Sequence, residues 1–181
     1  MAQLGRWRGP AGSVVRGISA GAVGTAAMTL WYAVGHRILR SGTASELADG
    51  TPVAALTTAS GLDYDDSVVP GEIVASILHL PSVTDRQAGE LTVALRWSYG
   101  SAFGIAHVIL RDRMREPAAS LVFGGALMTM TLTAFPFLGR TPPPWRWPPA
   151  VMINAVGSHI AYVAAAAALD DRLRPSRVTL S

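Results

Sequence analysis

The strongest constraint in this sequence is the spacing of its charges. No formal charge falls between Arg16 and Arg37, between Glu116 and Arg140, or between Arg146 and Asp170, and each interval is dominated by apolar residues. Crossing a bilayer takes about 20 mostly apolar residues coiled as a helix, because hydrocarbon offers the backbone no other hydrogen-bond partner. A fourth interval, about Leu91 to Leu110, reads the same way with Arg96 near its start. The expectation is therefore an all-α, integral membrane four-helix bundle forming a single domain over 1–181. Its spans are expected at about 15–37, 91–111, 117–138 and 149–169, with an outer loop at about 41–90.

Composition agrees. Half of the 181 residues are hydrophobic and 15% are charged, against roughly a quarter charged in a soluble domain. There is no cysteine, which excludes disulfides, thiolate metal sites and cysteine nucleophiles. All 15 basic residues are arginine, a bias that fits a GC-rich coding genome such as an actinobacterium's. The net charge of +3 does not point to nucleic acid, because the arginines cluster at the ends of apolar runs. The first apolar run is longer than a usual signal-peptide core and is read as a retained helix.

Proline and capping patterns mark the limits. Pro117, Pro148 and Pro149 stand where helices start, a position where proline loses no needed donor. Thr84 and Gln87 form a capping-box pattern, so the second helix is expected to begin in water before entering lipid. Arginine placement then sets orientation. Nine arginines, among them Arg16, Arg111 and Arg174, fall on the side of both termini; the other six are spread over far more residues beside eight of the twelve acids. The expectation is a bacterial plasma membrane protein with N- and C-termini cytoplasmic. Trp31, Trp97, Trp145 and Trp147 then fall at the outer ends of their spans, as interfacial indoles do.

The outer loop divides in two. Residues 41–67 are rich in small and polar types, with one acidic cluster, Asp63-Tyr64-Asp65-Asp66. That cluster lacks the glycine turn and distal glutamate of a calcium loop and reads as solvated. From Pro70 to Pro81, Ile73, Val74, Ile77 and Leu78 fall on one helical face, which predicts a short interfacial helix or a lid of about eleven residues.

Close backbone approach through small residues holds membrane helices together. The candidates are Gly17, Gly21 and Gly24 in the first span, Gly100 and Gly104 in the second, and Gly157 in the fourth. Gly24 to Thr29 also echoes Gly124 to Thr129 at four of six positions. A duplicated helical hairpin and chance are both open as explanations.

Ionisable groups at membrane depth are functional candidates. His107 and His159 lie well inside their spans, close in depth; Asn154 and Arg96 complete the intramembrane polar set. Three readings stay open for the histidines: hydrogen bonds to neighbouring helices, ligation of a b-type haem as a pair, or part of a proton or ion path. Apart from that haem no cofactor is implied, and no metal. Arg96 either snorkels to the headgroups or pairs with a loop carboxylate. Methionines 28, 128, 130 and 152 read as packing. No carboxylate falls inside the expected spans, and no phosphate loop, metalloprotease motif or serine elbow is present, so no catalytic residues are assigned and the enzyme reading is weak.

The first span's Gly-Ala-Val-Gly-Thr-Ala-Ala-Met-Thr (21–29) and the second span's Arg-Trp-Ser-Tyr-Gly-Ser-Ala-Phe-Gly (96–104) resemble the YagU-like group of small bacterial inner-membrane proteins. The likeness covers about half the chain. It implies a plasma-membrane bundle and an association with acid tolerance, and it transfers no site residues. The function expected is structural or accessory: a bundle that binds lipid, a membrane-protein partner or itself as a homo-oligomer. Proton or small-solute transport and a haem-bearing redox subunit are the alternatives.

Overall fold

The computed structural model describes residues 9–43, 74–81, 84–138, 143–147 and 149–174. The described residues contain helices and no strands. Four long helices follow in order: α1 (Pro10–Thr43), α2 (Asp85–Arg113), α3 (Ala118–Leu138) and α4 (Pro149–Leu173), with a short 3₁₀ turn at Pro144–Arg146 before α4. Three of them are long and apolar enough to cross a membrane, over Pro10–Val34, Ala118–Leu138 and Val151–Leu173.

The second expected span is the exception. Helix α2 is 29 residues long, about 43 Å at 1.5 Å per residue, so length is not the obstacle. Its composition is: Arg86, Glu90, Arg96 and His107 interrupt the apolar pattern. The capping box that starts it is complete, with the Thr84 amide donating to Gln87 Oε1 at 3.0 Å and the Gln87 amide donating to Thr84 Oγ1 at 3.4 Å. Helix α1 is also longer than its expected span and runs on to Thr43.

Successive helices run in opposite directions, so the start of α1, the end of α2, the start of α3 and the end of α4 share one end of the molecule. Helix α1 is the centre of the packing, with long contacts to α2 on one side and α4 on the other, while α3 rests mainly on α4. The α1–α2 seam is built on glycine. A Cβ on Gly104 would collide with the Gly17 carbonyl and the Gly21 backbone, so these two helices approach as closely as backbone permits. On the other side of α1, a Cβ on Gly24 would sit 2.8 Å from the Tyr162 ring. Gly157 lies under Trp31, where any larger residue would displace the indole.

The core is a small apolar layer of Ala20, Val108, Phe123, Leu127, Tyr162 and Ala166, one or two residues from each helix. A second cluster gathers Trp147, Val151 and Ala155 against Met128, Leu132 and Met152. Trp147 is thus buried as a packing residue, unlike the interfacial role expected for it, whereas Trp145 is largely exposed.

The loop expectations fare unevenly. Of the helix expected over Pro70 to Pro81, the described part is one turn at 74–77. It closes at His79, whose φ of 52° takes the chain out of the helix. The acidic cluster at 63–66 and the helix start at 70–72 lie outside the described residues.

Candidate functional site

The sides of the molecule and its interior have opposite characters. Leu121, Ile153 and Ile160 point outward, each more than 60% exposed, while Arg16, Thr25, Arg96, His107, Arg111, Asn154, Ser158 and Asp170 are buried. Two polar regions lie inside, separated by the apolar layer.

The first is an ion-pair cluster where the helix ends meet. Asp170, on the last turns of α4, is 0% exposed. It accepts from Arg16 of α1 (Nε, 2.9 Å) and from Arg111 of α2 (Nη1, 2.6 Å). Arg174 reaches it from the same helix at 2.9 Å. Arg16 also donates to Asp112 at 3.1 Å, and Ser13 donates to the other oxygen of that carboxylate. Arg111 adds Asp171 at 2.6 Å, the Ala167 carbonyl at 3.0 Å and Glu116. One carboxylate, with its partners, therefore joins three helices. Asp170 follows the expected fourth span by one residue and lies within the apolar stretch Val151–Leu173. Two of the arginines that set the expected orientation, Arg16 and Arg111, are spent on it.

His107 hangs from this cluster. Its ring stacks on Phe123 with centroids 4.5 Å apart, and its Nε2 lies 3.1 Å from Ser120 Oγ. Ser120 gives its only hydroxyl proton to Glu116 at 2.8 Å, so Nε2 must be the donor in the pair, which leaves Nδ1 as a buried bare acceptor. His159 belongs to the other region. Its Nδ1 is 2.7 Å from the Ala155 carbonyl, which only accepts, so Nδ1 carries the proton. Its Nε2 is hydrogen-bonded with Thr131 Oγ1 at 3.0 Å. Ser120 and Thr131 stand eleven residues apart on α3, about 16 Å along its axis. The structure does not bring the two imidazoles together, and each has a hydroxyl partner of its own. Paired haem ligation needs them to face one another across one iron, and this arrangement does not fit it.

The second region is a cavity of about 300 Å³ beyond the apolar layer, bounded by all four helices. Thr25, Tyr32, Arg96, Tyr99, Thr131, His159 and Tyr162 supply its polar side chains, and Met28, Phe103, Leu127, Met130 and Ala134 its apolar ones. Most of the hydroxyls are committed: Thr25 to the Gly21 carbonyl, Tyr32 with Ser158, and Tyr162 to the Gly100 carbonyl. Arg96, for which snorkelling to the headgroups and pairing with a loop carboxylate both stood open, lies beside Tyr32 in this cavity. It is 8% exposed, with its guanidinium carbon 4.9 Å from the centroid of the Tyr32 ring, a cation–π arrangement that partly replaces hydration. Asn154 is buried as well, and its Oδ1 accepts no hydrogen bond from the described residues.

A third feature is a shallower groove of about 520 Å³ on the outer side of α3 and α4, floored by Gly124, Gly125 and Ala164. A Cβ on Gly125 would meet nothing within 4 Å.

Neither the cluster nor the cavity was named from sequence, although the parts were visible. Arg-Asp-Arg at 111–113 and Asp-Asp-Arg at 170–172 lie at the ends of α2 and α4, and Arg16 lies near the start of α1. In an alternating helix order those three ends coincide, and opposite charges at coinciding ends pair. No protein-family model, curated protein or solved structure matches the chain.

Proposed function

We propose that the chain is a four-span protein of the bacterial plasma membrane with an accessory role, holding a lipid or a membrane partner against its helices. The observation that carries this reading is the inverted polarity. Large aliphatic side chains cover the outside of α1, α3 and α4, while arginine, aspartate, histidine and asparagine lie within. Apolar faces on that scale are not sustained in water, and in lipid the polar groups must turn inward. Helix α2, too polar to be recognised as a span, crosses in this reading with Arg96, His107 and Arg111 buried, while Arg86 and Glu90 at its start stay exposed. The YagU-like resemblance points the same way.

Conduction of protons is less well supported. His107 and the ion-pair cluster sit on one side of the apolar layer, and Arg96, Thr131 and His159 on the other. Phe123, Leu127 and Tyr162 separate them, so the polar groups do not form one relay.

The test uses the absence of cysteine. The protein should stay in the membrane pellet after alkaline carbonate washing. Single cysteines at Ser45 and Arg115 should be labelled from opposite sides, Ser45 from outside. Release by alkali, or labelling of both positions from one side, would overturn the reading.

A further inference from the structure

The groove on the outer side of α3 and α4 is hydrocarbon along its length and charged at one end. Its polar members, Ser120 and His159, are already engaged: Ser120 with Glu116 and His107, His159 with the Ala155 carbonyl and Thr131. Gly124, Gly125 and Ala164 form the floor, and Leu121 and Ile160, each more than 60% exposed, stand as rims. Such a lining takes an apolar chain, whereas a polar segment would lose its water without replacement. From Pro117 to Met128 the groove follows eleven residues of chain, about 16 Å along α3. That is half of a hydrocarbon core about 30 Å thick, the depth of a single leaflet.

The groove opens at the end of the molecule that holds the ion-pair cluster. Six arginines and four carboxylates gather there among the described residues. Arg16, Arg111 and Arg174 make the ion pairs, while Arg113, Arg115 and Arg172 are exposed and enter none of them. Two of these flank the groove. Arg115 precedes Pro117, and Arg172 continues the exposed stripe of α4 that passes through Val156, Ile160, Ala164 and Ala168 at intervals of four. The nearest carboxylates, Glu116 and Asp171, are taken by Arg111. An apolar channel one leaflet deep that opens between two uncompensated arginines is complementary to an anionic lipid. A second copy fits less well, because an axis along the membrane normal would bring the same arginines of both copies together.

We propose that this groove holds one acyl chain of an anionic phospholipid, with the phosphate at Arg115 and Arg172 and the chain over Gly124 and Gly125. The inference rests on the membrane reading and names the lipid that reading leaves open.

The experiment is native mass spectrometry of the full chain released by detergent from carbonate-washed membranes, with phosphatidylglycerol or phosphatidylcholine of the same acyl chains added. A one-to-one adduct with phosphatidylglycerol is expected, and a weaker one with phosphatidylcholine. Replacing both arginines, Arg115→Gln with Arg172→Gln, should weaken the phosphatidylglycerol adduct on the order of tenfold. Both side chains are exposed, so the fold does not depend on them. Gly125→Leu fills the groove from α3 and should weaken the adduct with the arginines intact. Arg86→Gln, at the far end of α2 and equally exposed, should leave it unchanged. Equal retention of the two lipids, an unchanged adduct in the double variant or in Gly125→Leu, or an equal loss in Arg86→Gln overturns the inference. A lipid-free dimer that Gly125→Leu splits overturns it in favour of a second copy. Protein found in the alkaline wash instead of the pellet fails the membrane reading; protein that stays embedded and retains no anionic lipid fails only the ligand.

Discussion

Helices α1 and α3 carry nearly the same hexapeptide, Gly-Thr-Ala-Ala-Met-Thr at 24–29 and Gly-Gly-Ala-Leu-Met-Thr at 124–129, yet the fold uses them differently. In α1 the small residues are consumed. Gly17 and Gly21 meet the backbone of α2, Gly24 meets Tyr162, and Arg16 locks the helix to Asp170. In α3 Gly125 faces open space, Gly124 touches Val163 only at an ordinary distance, and Leu121 and Val122 point outward. A small-residue motif states that a helix can be approached closely. Whether it is approached depends on what its ends are tied to, and α1 is tied at both faces while α3 rests mainly on α4.

The difference is broken most forcefully at Asp170. Replacing it with asparagine leaves Arg16 and Arg111 buried without their shared counter-charge, and breaking a buried pair from one side costs about 3–5 kcal/mol. Thermal or denaturant unfolding in detergent should show that loss, and Asp170→Leu combined with Arg16→Met and Arg111→Met should recover part of it. A loss under about 1 kcal/mol for Asp170→Asn would mean that Asp112, Asp171 and Glu116 suffice, and α1 would not be the locked element.

The next contrast needs only a methyl group. Gly104→Ala drives a Cβ into the backbone of Gly17 and Gly21; neither can move aside as a side chain would, so a cost of about 1–3 kcal/mol is expected. Gly125→Ala meets nothing and should stabilise α3 by about 0.5–1 kcal/mol, because alanine loses less backbone freedom in a helix. Opposite signs in the two melting shifts sharpen the comparison. A cost at Gly125 equal to that at Gly104 would show that α3 is covered after all, by a second copy or another partner.

How much of this was legible from the chain depends on the range of the interaction. Charge-free length announced α1, α3 and α4, and local chemistry announced the helix starts at Thr84, Pro117 and Pro149. Helix α2 was expected to span from about Leu91 with Arg96 and His107 inside it, and those polar positions, with Arg86 and Glu90 before them, keep it apart from the three apolar helices. The charged end required knowing that Arg16, Arg111 and Asp170 coincide in space, over 59 to 154 residues of sequence, and periodicity carries no such information. Placing His107 and His159 by depth brought them close, but each helix also sets a direction, and direction gave them different partners. The cavity was least visible of all, since a void is made by what four helices fail to fill.

The smallest effect lies at the start of α3, where Glu116 binds the helix to Arg111. Burial alone would raise this carboxyl, but hydrogen bonds from the Ser120 hydroxyl, from Arg111 and from the Ser120 amide outweigh it and hold the group below the ordinary carboxylate value. A depressed value in the folded state means that ionised Glu116 favours folding. Its contribution is complete above the ordinary carboxylate range and is lost as pH falls through the lower, folded value. The side chain is about a third exposed, so screening keeps the contribution below about 1 kcal/mol. Wild type and Glu116→Gln should therefore differ slightly at neutral pH and converge on acidification. Hydrogen exchange should show the first turn of α3 loosening in acid before the α1–α2 seam does, since no carboxylate holds Gly21 against Gly104. If the seam opened first, or the difference between the two proteins stayed constant with pH, the ends of α1 and α3 would be held by the same forces and the contrast between them would fail.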